Sequence, residues 1–480
     1  MNEDNHLNRL LALLALTFLI CCLFYFLPNH IGSIKLKRVD LLADLRTSPL
    51  PFQSDSLMLA DEDTLGVDSV KLQELAVEKA GMDSVALAKR DSLYRALYAV
   101  EGADSLGLRI EDYSIGHTGL SHFFQTLRSR DSLRRPVRIG FLGDSFIEGD
   151  ILVADLRAEL QREFGGKGVG LVPISSVAAR FRPTAKVTSE GWKTWSMLND
   201  HSQRYTLACM LFEAELPNVS LQIEAGDKYP EFQKGTSLKF IYEVSHGARL
   251  ALSCNDEDST YIMLPETDSL TQYVYDSSAD IWKAAFHFSQ AKGLKALGVA
   301  LEDENGIVVD NFSVRGNSGL VLERLDSVRC KQLNRIRPYD MIIMQYGLNV
   351  ANDSVMLYGW YDKRMEAVVH HIKHCFPTAD ILILGVSDRS KQENGEFYTM
   401  PSVLSLLHAQ RQLAKRCGLP FWNTFGAMGG ENSMVEYVKR NWASKDYTHL
   451  GFGGGRELAR ILKEALMAEK NFYDEAETEE

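Results

Sequence analysis

The chain has 480 residues, 45% of them hydrophobic and 24% charged, with 64 acidic against 52 basic side chains and a formal net charge of −12. That length exceeds one ordinary domain, so two or three folded units are expected. The acidic balance, reinforced by a tail at residues 471–480, argues against nucleic acid as a partner. The seven cysteines form no CxxC pair, which speaks against a structural zinc site.

Residues 10–27 form an apolar run of 18 residues closed by Pro28. Such a run is just long enough to cross a bilayer and long for the core of a cleavable signal. Phe18, Leu19 and Ile20 before Cys21 lack the small side chains of lipoprotein processing. Residues 1–31 are therefore expected to anchor the chain in a membrane, with the remainder exported. Secretion after cleavage near Ser33 is the alternative. Residues 32–134 read as a polar spacer with a helical lead-in. Leu120, Phe123, Phe124 and Leu127 within it make an apolar face expected to pack a helix on the body.

The stretch 137–150, VRIGFLGDSFIEGD, begins as a buried-strand pattern and stops at Gly143-Asp144-Ser145. An amphipathic helix pattern (Ile151, Ala154, Leu156, Leu160, Phe164) follows. A serine on a tight strand-to-helix turn presents its hydroxyl and its own N–H at the edge of a sheet, a geometry suited to a nucleophile. The same tripeptide is ordinary turn chemistry. Asp-Ser followed by Leu or Val recurs, among other positions, at Asp55, Asp68, Asp83, Asp91, Asp104, Asp131, Asp268 and Asp326, mostly as helix caps. Ser145 alone follows both a glycine and a strand pattern.

Residues 165–173, GGKGVGLVP, follow a helix and lack the Gly-Lys-Ser/Thr of a phosphate loop. They read as a helix C-cap and a tight loop near the rim of the site. Between residues 184 and 300 short β-type runs alternate with turns, as in a separate sandwich inserted into the body. Its Trp192, Trp195 and Trp282 could serve either a core or a sugar-stacking surface. From residue 301 to 470 strands and helices alternate, which implies a parallel sheet with ligands at the strands' carboxyl ends. Ser145 in the first part (135–183) and Gly316 and Asn349 in the second fall at such ends. Near the last helix, Asp446 and His449 stand three apart, so that a carboxylate can orient an imidazole aimed at a serine.

Gly143-Asp144-Ser145, Gly316, Gly347-Leu348-Asn349 and Asp446-Tyr447-Thr448-His449 occur in the order of the four blocks of the SGNH (GDSL-type) hydrolases, which this chain resembles over about residues 135–183 and 300–468. With a β domain inserted before the second block, it is similar to bacterial periplasmic polysaccharide O-acetylesterases, in particular those acting on peptidoglycan. The resemblance implies a flavodoxin-like α/β three-layer sandwich carrying an all-β domain like a carbohydrate-binding module. It also implies a Ser145–His449–Asp446 triad, and an oxyanion hole from the N–H groups of Ser145 and Gly316 and the amide of Asn349. No metal or organic cofactor is implied. Two departures stand out: Val350 follows Asn349 where the family usually has Asp, and Gly319 competes with Gly316 for the second block.

The expected substrate is an acylated envelope polysaccharide. Two other readings remain: an SGNH O-acyltransferase working with a membrane-bound acyl-donor partner, and a non-catalytic polysaccharide-binding protein.

Overall fold

The computed structural model describes residues 30–31, 34–35, 84–99 and 109–479. The expected anchor at 10–27 and most of the spacer lie outside the described residues, among which no helix is long and apolar enough to cross a membrane. Met1–Leu72 form one unit, in which β1 (His30–Ile31) pairs antiparallel with β2 (Ile34–Lys35). Everything below belongs to the second unit, Gln73–Glu480.

Helix α1 (Ser84–Ala99) precedes β3 (Ile110–Asp112) and α2 (Ser121–Arg128). The apolar face expected before the body is real: Leu120, Phe123, Phe124 and Leu127 are all buried. Strand β4 (Val137–Gly143) is buried at every residue. The helix pattern expected from Ile151 forms α3 (Val153–Phe164), two residues later. Gly149, Asp150 and Leu152 hold φ of 66°, 67° and 67°, which a right-handed helix cannot contain, so the chain makes a 3₁₀ turn at Glu148–Asp150 first.

The glycine-rich segment after α3 departs from expectation. It enters β5 (Gly170–Val172), which pairs antiparallel with a strand of the sandwich. Gly166 lies against the backbone of Ile307, at the amino end of a parallel strand and thus away from the site rim.

The sandwich comprises β6 (Ala185–Glu190), β7 (Trp192–Ser196), β8 (Met210–Ala214), β9 (Val219–Ala225), β10 (Gly235–Val244), β11 (Ala248–Cys254), β12 (Thr260–Leu264), β13 (Thr267–Ile281), β14 (Lys283–Ser289) and β15 (Lys295–Glu302). One sheet runs β13-β10-β15-β8-β7, with β5 beside β15, and the other β12-β11-β14-β9-β6. Phe240, Phe286, Phe288 and Leu250 fill the space between them. The first sheet also buries its opposite face: Leu211, Ile241, Leu270, Leu297 and Ala300 join the core of the α/β body. The second sheet turns its outer face to solvent, and β11 alternates accordingly.

The chain then returns to the body through β16 (Ile307–Ser313), α4 (Ser327–Ile336), β17 (Met341–Gln345), α5 (Gly359–Cys375), β18 (Asp380–Leu384), the hairpin β19 (Ser390–Glu393) and β20 (Glu396–Thr399), α6 (Pro401–Cys417), β21 (Pro420–Trp422), α7 (Thr424–Ala427), α8 (Ser433–Lys439) and α9 (Phe452–Glu479). A 3₁₀ turn ends at Arg324, and Asp326 starts α4 by accepting the Arg329 N–H at 2.9 Å. The sheet order is β16-β4-β17-β18-β21-β3, with β3 antiparallel at the edge. Numbered among themselves, the five parallel strands run 2-1-3-4-5, the flavodoxin-like order, whose ligand crevice opens between β4 and β17.

Buried charges join sandwich and sheet. Glu302, at the end of β15, accepts from Arg138 of β4 at 2.6 Å, Arg337 at 2.8 Å and Lys239 of β10 at 2.7 Å. Arg337 also grips Asp310 of β16 at 2.7 Å, and the Tyr339 hydroxyl donates to the same carboxylate at 2.7 Å.

Candidate active site

Parallel pairing aligns the carboxyl ends of three strands: Gly143 of β4 stands beside Ser313 of β16 and Gln345 of β17. Ser145, Gly316 and Asn349 follow those ends within a few residues, so the sheet brings the three together from segments far apart in sequence. Gly143 leaves room for the Ile147 side chain folded back over it: a Cβ there would lie 2.7 Å from that side chain, which would have to shift. The loop before α9 adds the remaining pair.

Ser145 Oγ lies 2.9 Å from His449 Nε2. On the far side of the ring, Nδ1 lies 2.7 Å from Asp446 Oδ2. A carboxylate accepts only, so Nδ1 carries the proton and Nε2 is left to accept from the serine hydroxyl. Asp446 is itself fixed, its Oδ1 accepting the N–H groups of Thr448 at 2.9 Å and His449 at 3.0 Å. Burial pushes this carboxyl up, but hydrogen bonds from Ser444, His449 and Thr448 outweigh it and hold the group well below the usual carboxylate range. The loop is braced by Tyr447, whose ring stacks on Phe397 at 3.7 Å. Asp446 and His449 remain open to solvent, with side chains 50% and 38% exposed.

The N–H groups of Ser145 and Gly316 make no hydrogen bond within the described residues. Gly316 has φ of 79° with open space where a Cβ would stand, so backbone conformation rather than crowding asks for glycine there. The Gly319 N–H is already spent on Asn317 Oδ1 at 2.8 Å. Of the two candidate glycines, Gly316 is the one with a donor to offer.

Asn349 departs from the expected role as drawn. Its Nδ2 donates to Asp144 Oδ2 at 2.7 Å and to the Asn317 carbonyl at 3.1 Å, which occupies both amide hydrogens. Asp144 and Asn317 therefore hold the Asn349 amide in place. Asp144 is fully buried, and burial pushes its carboxyl up to about 6 despite the Phe146 N–H, the Asn349 amide and nearby His449. In the sequence this aspartate reads as part of the Gly-Asp-Ser turn, with no partner of its own. The signal was its position against the serine, but its partner lies 205 residues away.

Other neighbours were not foreseen. Glu148, buried three residues past the serine, pairs with Arg315, the residue before Gly316. Phe181 lays its ring over Gly149 and is 44% exposed. Behind it Asp150 is held by Arg182 at 2.9 Å and Asn311 at 2.8 Å, which ties the serine turn to the segment entering the sandwich. Arg389, past the end of β18, points its Nη1 at the Leu348 and Ala351 carbonyls at 3.4 and 3.5 Å. Trp192, in contrast, serves the sandwich core, packing edge-on to Phe288 with its N–H on the Ser220 carbonyl, whereas Trp282 is half exposed.

No protein-family model and no curated protein matches this chain. Among solved structures, a peptidoglycan O-acetylesterase superposes with a TM-score of 0.62 at 22% identity, covering 75% of this chain and 98% of that one. A salicylyl-acyltransferase from a tetracycline biosynthetic pathway covers 59% of this chain and 97% of its own at 11% identity, with a TM-score of only 0.27. A family two carbohydrate esterase from Cellvibrio japonicus covers 60% and 99% at 10% identity and a TM-score of 0.23. The chain thus shares the fold of the first of these, and its resemblance to the SGNH hydrolases extends from the order of its sequence blocks to its architecture.

Proposed function

We propose that this chain is a serine esterase that removes O-acetyl groups from an envelope polysaccharide, with peptidoglycan the first substrate to test. The observation that carries the reading is the relay Ser145–His449–Asp446, closed at 2.9 and 2.7 Å at the sheet's carboxyl edge. His449 Nε2 takes the Ser145 proton as Oγ attacks the ester carbonyl; the imidazolium then hands it to the departing sugar hydroxyl. The oxyanion meets the N–H groups of Ser145 and Gly316. Asn349 joins them by giving up its bond to the Asn317 carbonyl while keeping Asp144. One such donor is commonly worth on the order of a hundredfold in rate.

Water then attacks the acetyl-enzyme with His449 again as base. The open setting of Asp446 and His449 supports hydrolysis over transfer to a second sugar, since transfer needs water kept out. Phe181 beside the serine turn is suited to stacking on the sugar ring, and the solvent-facing sheet of the sandwich to holding neighbouring units of the polymer. Residues 10–27 would hold the enzyme at the inner membrane, facing the periplasm.

The test is acetate release by the full chain from O-acetylated peptidoglycan and O-acetylated xylan, with Ser145→Ala as control. Serine-dependent release supports the esterase, and the preferred polymer names the substrate class. Serine-dependent turnover of an aryl acetate without release from either polymer would shift the reading to acyl transfer with a membrane-bound partner. Turnover that survives Ser145→Ala would sink the triad.

A further inference from the structure

The sheet order sets four loops side by side at the carboxyl edge, in the order Arg315 (after β16), Ser145 (after β4), Asn349 (after β17) and Arg389 (after β18). Neighbouring strands lie about 4.8 Å apart, so the two arginine-bearing loops leave the sheet roughly 14 Å apart with the nucleophile between them.

Each arginine is positioned yet has donors to spare. Arg315 is 60% exposed, but its guanidinium is gripped by Glu148, whose side chain is only 6% exposed and which follows the serine on the same turn. An anchored guanidinium presents its remaining N–H groups in a fixed fork. Arg389 has no carboxylate within salt-bridge distance among the described residues and meets only two carbonyls, those flanking the turn that carries Asn349. Two guanidinium groups on the loops flanking one serine stand out on a chain with a net charge of −12. A neutral glycan needs hydroxyl recognition, which amides and aromatic rings supply. Guanidinium forks suit carboxylates.

Resting on the esterase reading, we propose that the substrate is an anionic glycan, with carboxylates near the acetylated sugar bound by Arg315 on one side of Ser145 and Arg389 on the other. The carboxylate can belong to a uronic acid or to a peptide attached to the sugar.

Two polymers separate these sources: O-acetylated polygalacturonate and O-acetylated peptidoglycan. Each is compared with the same polymer after its carboxylates are converted to primary amides. The readout is the ratio of kcat/KM for acetate release between the native and amidated forms. The full chain should favour the native form of one polymer by roughly tenfold, and that polymer names the source. High salt should shrink the ratio. Arg315→Gln and Arg389→Gln should each bring it towards one. Arg389→Gln disturbs only two carbonyl contacts, so it remains informative if Arg315→Gln loosens Glu148. A ratio near one for both polymers, with acetate still released, overturns the anionic substrate and leaves the esterase standing. A ratio that survives both substitutions overturns the assignment to these arginines. Failure to release acetate from any polymer or from an aryl acetate overturns the esterase reading, and this proposal with it.

Discussion

Asp144 shows how much a single buried group can decide. Its two oxygens divide the work, Oδ1 accepting the Phe146 N–H at 2.9 Å and Oδ2 the Asn349 amide at 2.7 Å. An asparagine has one acceptor oxygen and must turn its NH₂ towards one of those donors. Asp144→Asn is therefore expected to misplace Asn349 and lower kcat by ten- to a hundredfold. Burial raises the carboxyl from 3.8 to about 6, so its charged form costs the fold about 3 kcal/mol. That part of the stability is complete below pH 4 and is lost as the pH rises through 6. The variant carries no such cost, so its melting temperature should gain on the parent's between pH 5 and pH 8. A constant difference would mean that Asp144 does not titrate in that window. Asp446 is the opposite case, a half-exposed carboxylate whose charge is held by hydrogen bonds. Asp446→Asn should lose on the order of a thousandfold in kcat through the wrong imidazole tautomer, with its melting curve little changed. Near-normal kinetics would point to another carboxylate.

At the level of elements, the serine turn and the Gly316 loop carry most of the geometry. Gly316→Ala meets no neighbour but must hold φ near 79°, so the expected effect is a displaced N–H and a fall in kcat without loss of fold. A melting temperature that drops by more than a few degrees would mean that the loop is structural instead. The buried strands were legible from sequence because their apolar runs need no partner to be recognised, and so was the α2 face. The start of α3 was not, since left-handed Asp150 and Leu152 are residues that seldom announce such a conformation. Strand β5 was hidden for another reason: three residues become a strand only because β15, far along the chain, lies beside them. The same distance separates what could be read of the site from what could not. Ser145, Asp446 and His449 sit in recognisable local patterns, whereas the dual hold of Asp144, the Glu148–Arg315 pair and the placement of Arg389 arise only once the sheet has assembled.

For the molecule as a whole, the charge knot around Glu302 is the most exposed to perturbation. Burial pushes Glu302 up, but Arg138, Arg337 and Lys239 more than offset it and hold its carboxyl well below the usual range. A depressed carboxylate contributes stability above its unfolded value, near 4.5, and loses it as the pH falls further. Glu302→Gln leaves the arginines short of a counter-charge in a dry setting and should destabilise the protein by roughly 3–5 kcal/mol at neutral pH. It should also blunt the acid limb of the stability profile. Denaturant midpoints for parent and variant at pH 7 and pH 4 measure both effects, and equal differences at the two values would remove the charge from the explanation.

The central strands β10, β15 and β8 of the first sheet are packed on both faces, and that limits what the sandwich can be. A module that binds polymer on a hinge can swing, release and be cut away; this one shares a wall with the catalytic half. Deleting it would strip the cover from Leu211, Ile241, Leu270, Leu297 and Ala300 and expose the body's own interior. Heating should then give one calorimetric transition for residues 73–480 rather than two. Under the proposed function, a polymer held on the sandwich would sit at a constant offset from Ser145, so that the positions losing their acetyl groups would be set by a fixed gauge rather than a swinging arm.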